Sequence, residues 1–160
     1  MTQIDAVLND FLKQQGLHDE LNAYYDPTCD SYYQYGSDMS RVVLGGMTNK
    51  VADEIYMRFC KDLGLEVDID VITMSFLHEV GHHMTLDFLD EDEISESEWT
   101  KVILRITKDD SEYTEEDYMK YFNCPEEFEA TWDAIKFCNA CPEVAKALDT
   151  AILESIYDRN

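Results

Sequence analysis

A chain of 160 residues with 45% hydrophobic content can bury one core and is short for two, so a single domain over residues 1–160 is expected. Twelve Lys and Arg against 35 Asp and Glu leave a net charge of −23, which repels phosphate backbones and anionic membranes and argues against a nucleic-acid partner. No stretch has the length of an apolar membrane span, and the opening Met-Thr-Gln-Ile-Asp-Ala lacks the basic and then apolar character of an export signal. No membrane association and a cytoplasmic location are therefore expected.

In chain order, Ile4, Val7, Leu8, Phe11 and Leu12 recur at helical spacing ahead of Gly16 and predict an opening amphipathic helix. Aromatic and β-branched residues then cluster at 23–25, 31–35 and 41–44, separated by Asp26-Pro27 and Gly36-Ser37-Asp38. This pattern predicts a short antiparallel sheet of two or three strands. Thr48 or Asn49 caps a helix that runs to about Leu63 and closes at Gly64. Asp68 or Asp70 opens the next, with Val71, Met74, Ser75, His78, His82 and Leu86 on one stripe and an end near Leu89. The acidic run from Asp90 to Glu98 has no apolar period and reads as an exposed loop. Trp99, Val102, Ile103 and Ile106 suggest a helix after it, and Tyr118, Tyr121 and Phe122 a shorter one. Cys124-Pro125-Glu126 and Cys141-Pro142-Glu143 place Pro at the first position of two final helices. The expected class is α+β, mostly helical.

The five cysteines, Cys29, Cys60, Cys124, Cys138 and Cys141, are an odd number. Without an export signal they are expected to be reduced and mostly buried. Cys138 and Cys141 form a C-x-x-C, but no second pair completes a four-thiolate metal site.

The chemistry concentrates in His78-Glu79-Val80-Gly81-His82, an H-E-x-x-H inside a predicted helix. Residues four apart stand one above the other, about 6 Å along the axis, so His78 and His82 can direct ring nitrogens at one tetrahedral zinc. Glu79 lies at the edge of that face, displaced from ligand geometry but placed to take a proton from a metal-activated water. Gly81 leaves room for another backbone to approach closely. His83, about 100° further round, is expected to pack or hydrogen-bond, and His18 lies in a remote loop.

This pentapeptide resembles the active helix of zincin peptidases. Thr85 and Phe88 stand where the metzincin pattern needs Gly and His, which leaves the gluzincin type, whose third ligand comes from a later helix. Glu129-Ala130-Thr131-Trp132-Asp133 is similar to the thermolysin-type Glu-Ala-x-x-Asp. The order of elements over residues 41–139 resembles the ImmA/IrrE-like peptidases of bacteria and their phages. The resemblance implies a small zincin-like domain and a Zn2+ cofactor held by His78, His82 and Glu129. It also implies Asp133 behind a zinc histidine, with His78 the candidate, and Glu79 as general base.

Two features of the residues agree with Glu129. Among the glutamates after His82 only Glu129 and Glu154 have an Asp four residues on, and Glu154 sits near the fraying C-terminus. A buried stripe of Phe128, Trp132 and Ile135 would set Glu129 and Asp133 along its border. Glu126 and Glu127 stay open as alternatives.

The expected function is zinc-dependent hydrolysis of peptide bonds in a protein or peptide substrate. A basic protein would suit the charge, and a repressor would suit the family. The strand at 41–46 offers an edge for substrate, with Gly45 and Gly46 allowing close approach. A non-catalytic zincin scaffold that binds a protein, or an acidic nucleic-acid mimic, is the alternative. Tyr113, Tyr118 and Tyr121 can reach the site only if the acidic segment folds back over it.

Overall fold

The computed structural model describes residues 2–157. Thr2 and Asp5 form a reciprocal capping box at the start of α1 (Gln3–Gln14), whose buried face is Ile4, Leu8, Phe11 and Leu12. Gly16 turns the chain out of the helix at φ 74°, a left-handed conformation that glycine adopts without a Cβ penalty.

The chain then enters β1 (Leu21–Asp26), β2 (Tyr32–Gln34) and β3 (Ser40–Gly45). The sheet order is β1-β3-β2, with β1 parallel and β2 antiparallel to β3. The sheet is therefore mixed, where an antiparallel one was expected. The reason lies in β3, whose Ser40 and Val42 to Gly45 are buried almost without interruption. Such a strand needs cover on both faces, and here it takes the centre of the sheet. The outer edge of β1 is occupied from α1: Asn9 both donates to and accepts from the Ala23 backbone, and Asp5 accepts from Tyr25 N–H.

That order also removes the expected docking edge for substrate at 41–46. β3 is flanked on both sides. Where β2 ends, the Gly45 N–H donates to the Ser31 hydroxyl, 2.9 Å away, and a side chain at Gly45 would strike the backbone of Cys29 and Asp30. The close approach that Gly45 permits is made by the chain's own preceding loop.

Asn49 caps α2 (Lys50–Asp62), and Gly64 follows it at φ 109°. Asp70 caps α3 (Val71–Thr85). α3 packs against β3 and against α6 (Pro125–Ala140), and is buried on nearly every side, where a single stripe was expected. Ten of its residues, Glu79 among them, are buried. It ends at Thr85, ahead of the expected Leu89, and continues as a 3-10 turn, Leu86–Phe88.

The acidic run is not a loop. Asp90 and Glu93 form a capping box that starts α4 (Glu91–Thr107), and Glu91, Asp92 and Glu93 lie where carboxylates stabilise the positive helix end. Charge density hid a helix start. The buried Ser97 hydroxyl accepts from Glu126 N–H at 2.9 Å, fastening α4 to the first turn of α6. Thr114 caps α5 (Glu115–Asn123) through Asp117, and α7 (Pro142–Tyr157) returns along α1.

The result is an α+β fold, with seven α-helices among the described residues around one small sheet. Among those residues no helix is long and apolar enough to cross a membrane. All five cysteines are free, with Cys60, Cys124 and Cys138 buried. Burial pushes the Cys60 and Cys138 thiols up to about 12, which keeps them protonated and poor nucleophiles.

The contact that orders the site is Gly81 of α3 against Ala130 of α6. A Cβ at position 81 would collide with the Ala130 carbonyl, so only glycine lets the two helices meet at this distance. Gly81→Ala gains about 1 kcal/mol of helix propensity but overpacks a rigid backbone contact, at about 1–3 kcal/mol. A net loss of stability is expected in thermal denaturation, together with weakened metal uptake as α6 is pushed off α3.

Candidate metal centre

One face of α3 and the first turns of α6 converge on four side chains. His78, Glu79 and His82 are all buried, and each has a donor atom within 4.8 Å of the others. Glu127 of α6, only 4% exposed, lies across both rings. Its Oε1 is 3.0 Å from His78 Nε2, and its Oε2 is 3.2 Å from His82 Nε2. Glu79 Oε2 stands 4.0 Å from His82 Nε2, farther off than Glu127.

The electrostatics are those of a tight cluster. Burial alone would raise the Glu127 carboxyl, but hydrogen bonds from His78 and His82, together with their charges, hold it well below the ordinary range. For Glu79 burial wins and raises the carboxyl, with both histidines opposing. His82 shows the reverse balance: burial lowers it, and the bond and charge of Glu127 lift it above its usual value.

Glu129, expected as the third ligand, is not in this cluster. It follows Glu127 by two residues, about 200° round the helix, and makes no hydrogen bond or ion pair with either histidine. The expected stripe of Phe128, Trp132 and Ile135 put the large aromatics inside. Of these Ile135 is buried as expected, but the face of α6 turned to α3 carries Glu127, Ala130, Thr131 and Ala134, while Phe128 and Trp132 stack on each other half-buried. The Gly81 contact admits only small side chains opposite it, and Glu127 is three residues before Ala130 and four before Thr131. That small-residue face was a signal in the sequence that the aromatic stripe obscured.

Asp133 is displaced for the same reason. It is half-buried near Lys136 and Glu129, with burial raising its carboxyl, and it does not reach the histidines. His78 Nδ1 instead meets the Thr131 hydroxyl at 2.9 Å and the Tyr56 hydroxyl at 3.1 Å, and these two hydroxyls are 3.1 Å apart. With a proton on Nδ1, this pair of acceptors leaves Nε2 free to ligate. Thr131→Val is expected to weaken metal binding about 10 to 100-fold, whereas Asp133→Ala leaves it near wild type; competition titration against a chromophoric chelator measures both.

Lys101 and Tyr33 flank the cluster. Lys101 of α4 donates to Glu127 Oε2 at 2.8 Å and sits 3.6 Å from Glu126 Oε2, with its ammonium 5.6 Å from the centre of the Tyr121 ring. Tyr33 of β2 stacks on His82 and bonds His83 Nδ1 at 2.9 Å, while His83 Nε2 meets Glu20 at 2.8 Å. His83 thus hydrogen-bonds away from the cluster, as expected. Lys101 had no sequence signal, because its place depends on α4 folding back.

His78, Glu79, Lys101 and Glu127 lie along a cleft of about 900 Å3 whose far walls include Asp53, Asp70 and Tyr113. The segment after the acidic run does fold back: Tyr121 and Tyr118 also line the cleft. Burial raises the Tyr121 phenol well above its ordinary value, so it keeps its proton. Two buried imidazoles and one buried carboxylate, of which His78 and Glu127 line the open cleft, form a donor set that fits a divalent metal ion. No family model, curated protein or solved structure matches this chain, so the case for its chemistry comes from His78, Glu79, His82 and Glu127 themselves.

Proposed function

We propose that the protein is a zinc-dependent peptidase acting on protein or peptide substrates in the cytoplasm, with His78, His82 and Glu127 as the metal ligands. The observation that carries this reading is the approach of Glu127 to both Nε2 atoms, 3.0 and 3.2 Å away, with Glu79 next to them at 4.0 Å from His82. Zinc bound there would lower the pKa of a water toward about 7 and polarise a carbonyl oxygen.

The chain's own residues supply the rest. Glu79 accepts a proton from the attacking water as its oxygen bonds to the carbonyl carbon. It then returns a proton to the leaving amine as the carbon–nitrogen bond breaks. Tyr121, protonated and facing the cleft, is a donor for the negative charge that develops on the carbonyl oxygen. Thr131 and Tyr56 hold the His78 ring, and Tyr33 holds the face of His82. A cleft of about 900 Å3 accommodates several residues of an extended chain.

The test is incubation of the purified, zinc-loaded protein with casein. Cleavage abolished by a chelator and restored by zinc supports a peptidase. Binding without cleavage would support the non-catalytic scaffold instead.

A further inference from the structure

α4 carries a second feature that the metal centre does not use. Trp99, Ile103 and Ile106 are spaced i, i+4 and i+7, which puts them on one face. They are 66%, 40% and 76% exposed. The buried residues of α4, Ser97 and Leu104, define the opposite face, so this stripe is not a misplaced part of the core. Asp92 and Glu96 continue it toward the helix start, both exposed, and with Glu98 they form no ion pair with a base among the described residues. On the side toward α5, Ile103 and Glu96 also border a groove of about 630 Å3.

Exposed single apolar residues are ordinary, but an aligned Trp-Ile-Ile stripe beside a groove marks an interaction surface. Its framing charge selects the partner. A second copy of this chain would bring another net charge of −23 against the same acids, and an anionic membrane is repelled for the same reason. A helix with an apolar face and flanking Lys or Arg satisfies both the stripe and the unpaired carboxylates.

We propose that the outer face of α4 is a docking surface for a basic amphipathic helix of another protein. Trp99 is the anchor, Ile103 and Ile106 extend the apolar contact, and Asp92, Glu96 and Glu98 pair with the partner's cations. The surface lies outside the His78–Glu127 cluster, so the proposal stands or falls independently of peptidase activity.

The probe is a synthetic 18-residue peptide of Leu and Lys at helical spacing, compared with a Ser and Lys peptide of equal length and charge. Both are titrated into the full chain carrying Trp132→Phe, so that Trp99 is the only tryptophan. The Leu/Lys peptide is expected to shift Trp99 emission to shorter wavelength and to bind at least about 10-fold more tightly than the Ser/Lys peptide. The double substitution Ile103→Asp and Ile106→Asp is expected to weaken it by about the same factor, with the circular dichroism spectrum retained and only a small loss in Tm, since neither side chain is in the core but both new carboxylates lie near the end of α4. Equal binding of the two peptides, an unshifted Trp99, or unchanged affinity in the double variant would overturn the proposal. So would sedimentation of the wild type as a dimer that the double substitution dissociates, since a second copy would then be the occupant.

Discussion

Glu127→Ala is expected to lose zinc binding by more than the roughly 10 to 100-fold that an outer-sphere partner contributes, and to lose hydrolysis with it, while Glu129→Ala keeps both. The two residues are two positions apart on α6, yet only Glu127 faces the ring nitrogens. Removing its carboxylate takes away the anionic group that lies closest to both Nε2 atoms, and a catalytic zinc site needs three well-placed protein ligands. Lys101 would also lose its 2.8 Å partner and retain Glu126, so part of the effect could be structural. Glu127→Gln separates the two causes: the amide keeps the shape, can still pair its oxygen with Lys101 and forfeits the anionic ligand. It should still fold, with a Tm lowered by the lost charge but above that of Glu127→Ala, and bind zinc as poorly as Glu127→Ala. Direct zinc titration of the four proteins reads the result, and wild-type affinity in Glu127→Ala would remove Glu127 from the ligand set.

Glu79→Gln is the second large effect, with the opposite signature. Zinc content should remain near wild type, because Glu127 approaches both Nε2 atoms more closely, at 3.0 and 3.2 Å, than Glu79 approaches His82, at 4.0 Å. Hydrolysis should fall by at least the 100 to 10,000-fold typical of a lost general base, since an amide cannot accept the water's proton at neutral pH. Single-turnover cleavage of casein at saturating zinc isolates the chemical step. Retained cleavage in this variant would assign proton transfer to another group, whereas lost zinc would show that Glu79 ligates. His78→Ala should lose metal and hydrolysis together, which calibrates both outcomes.

The parts of this structure that were legible in the sequence are those governed by local chemistry. Asn49, Asp70 and Pro125 mark helix starts because capping and fixed φ act within one turn. The His78, Glu79 and His82 cluster follows from helical spacing alone. Gly81 foretold a close helix–helix contact because its only merit in a helix interior is the missing Cβ.

The parts that failed depended on which surfaces the rest of the chain provides. Glu129 was favoured by the likeness of residues 129–133 to Glu-Ala-x-x-Asp and by an expected stripe of Phe128, Trp132 and Ile135, but the tight contact at Gly81 turns the small-residue face of α6 inward and carries Glu127 with it. The parallel pairing of β1 with β3 follows from the burial of β3, which no local pattern states. Asp90 to Glu98 reads as a loop by hydropathy and forms a helix because its acids sit at the N-terminal end. Lys101 enters the site only through that helix.

The most direct test of the central claim is zinc K-edge X-ray absorption of the protein loaded with one equivalent of zinc. The ligand set His78, His82 and Glu127 predicts a shell of nitrogen and oxygen donors at about 2.0–2.2 Å with the outer-shell scattering of two imidazoles. A sulfur shell near 2.3 Å, which would place the metal on cysteines such as Cys138 and Cys141, or the spectrum of zinc free in buffer, would contradict it.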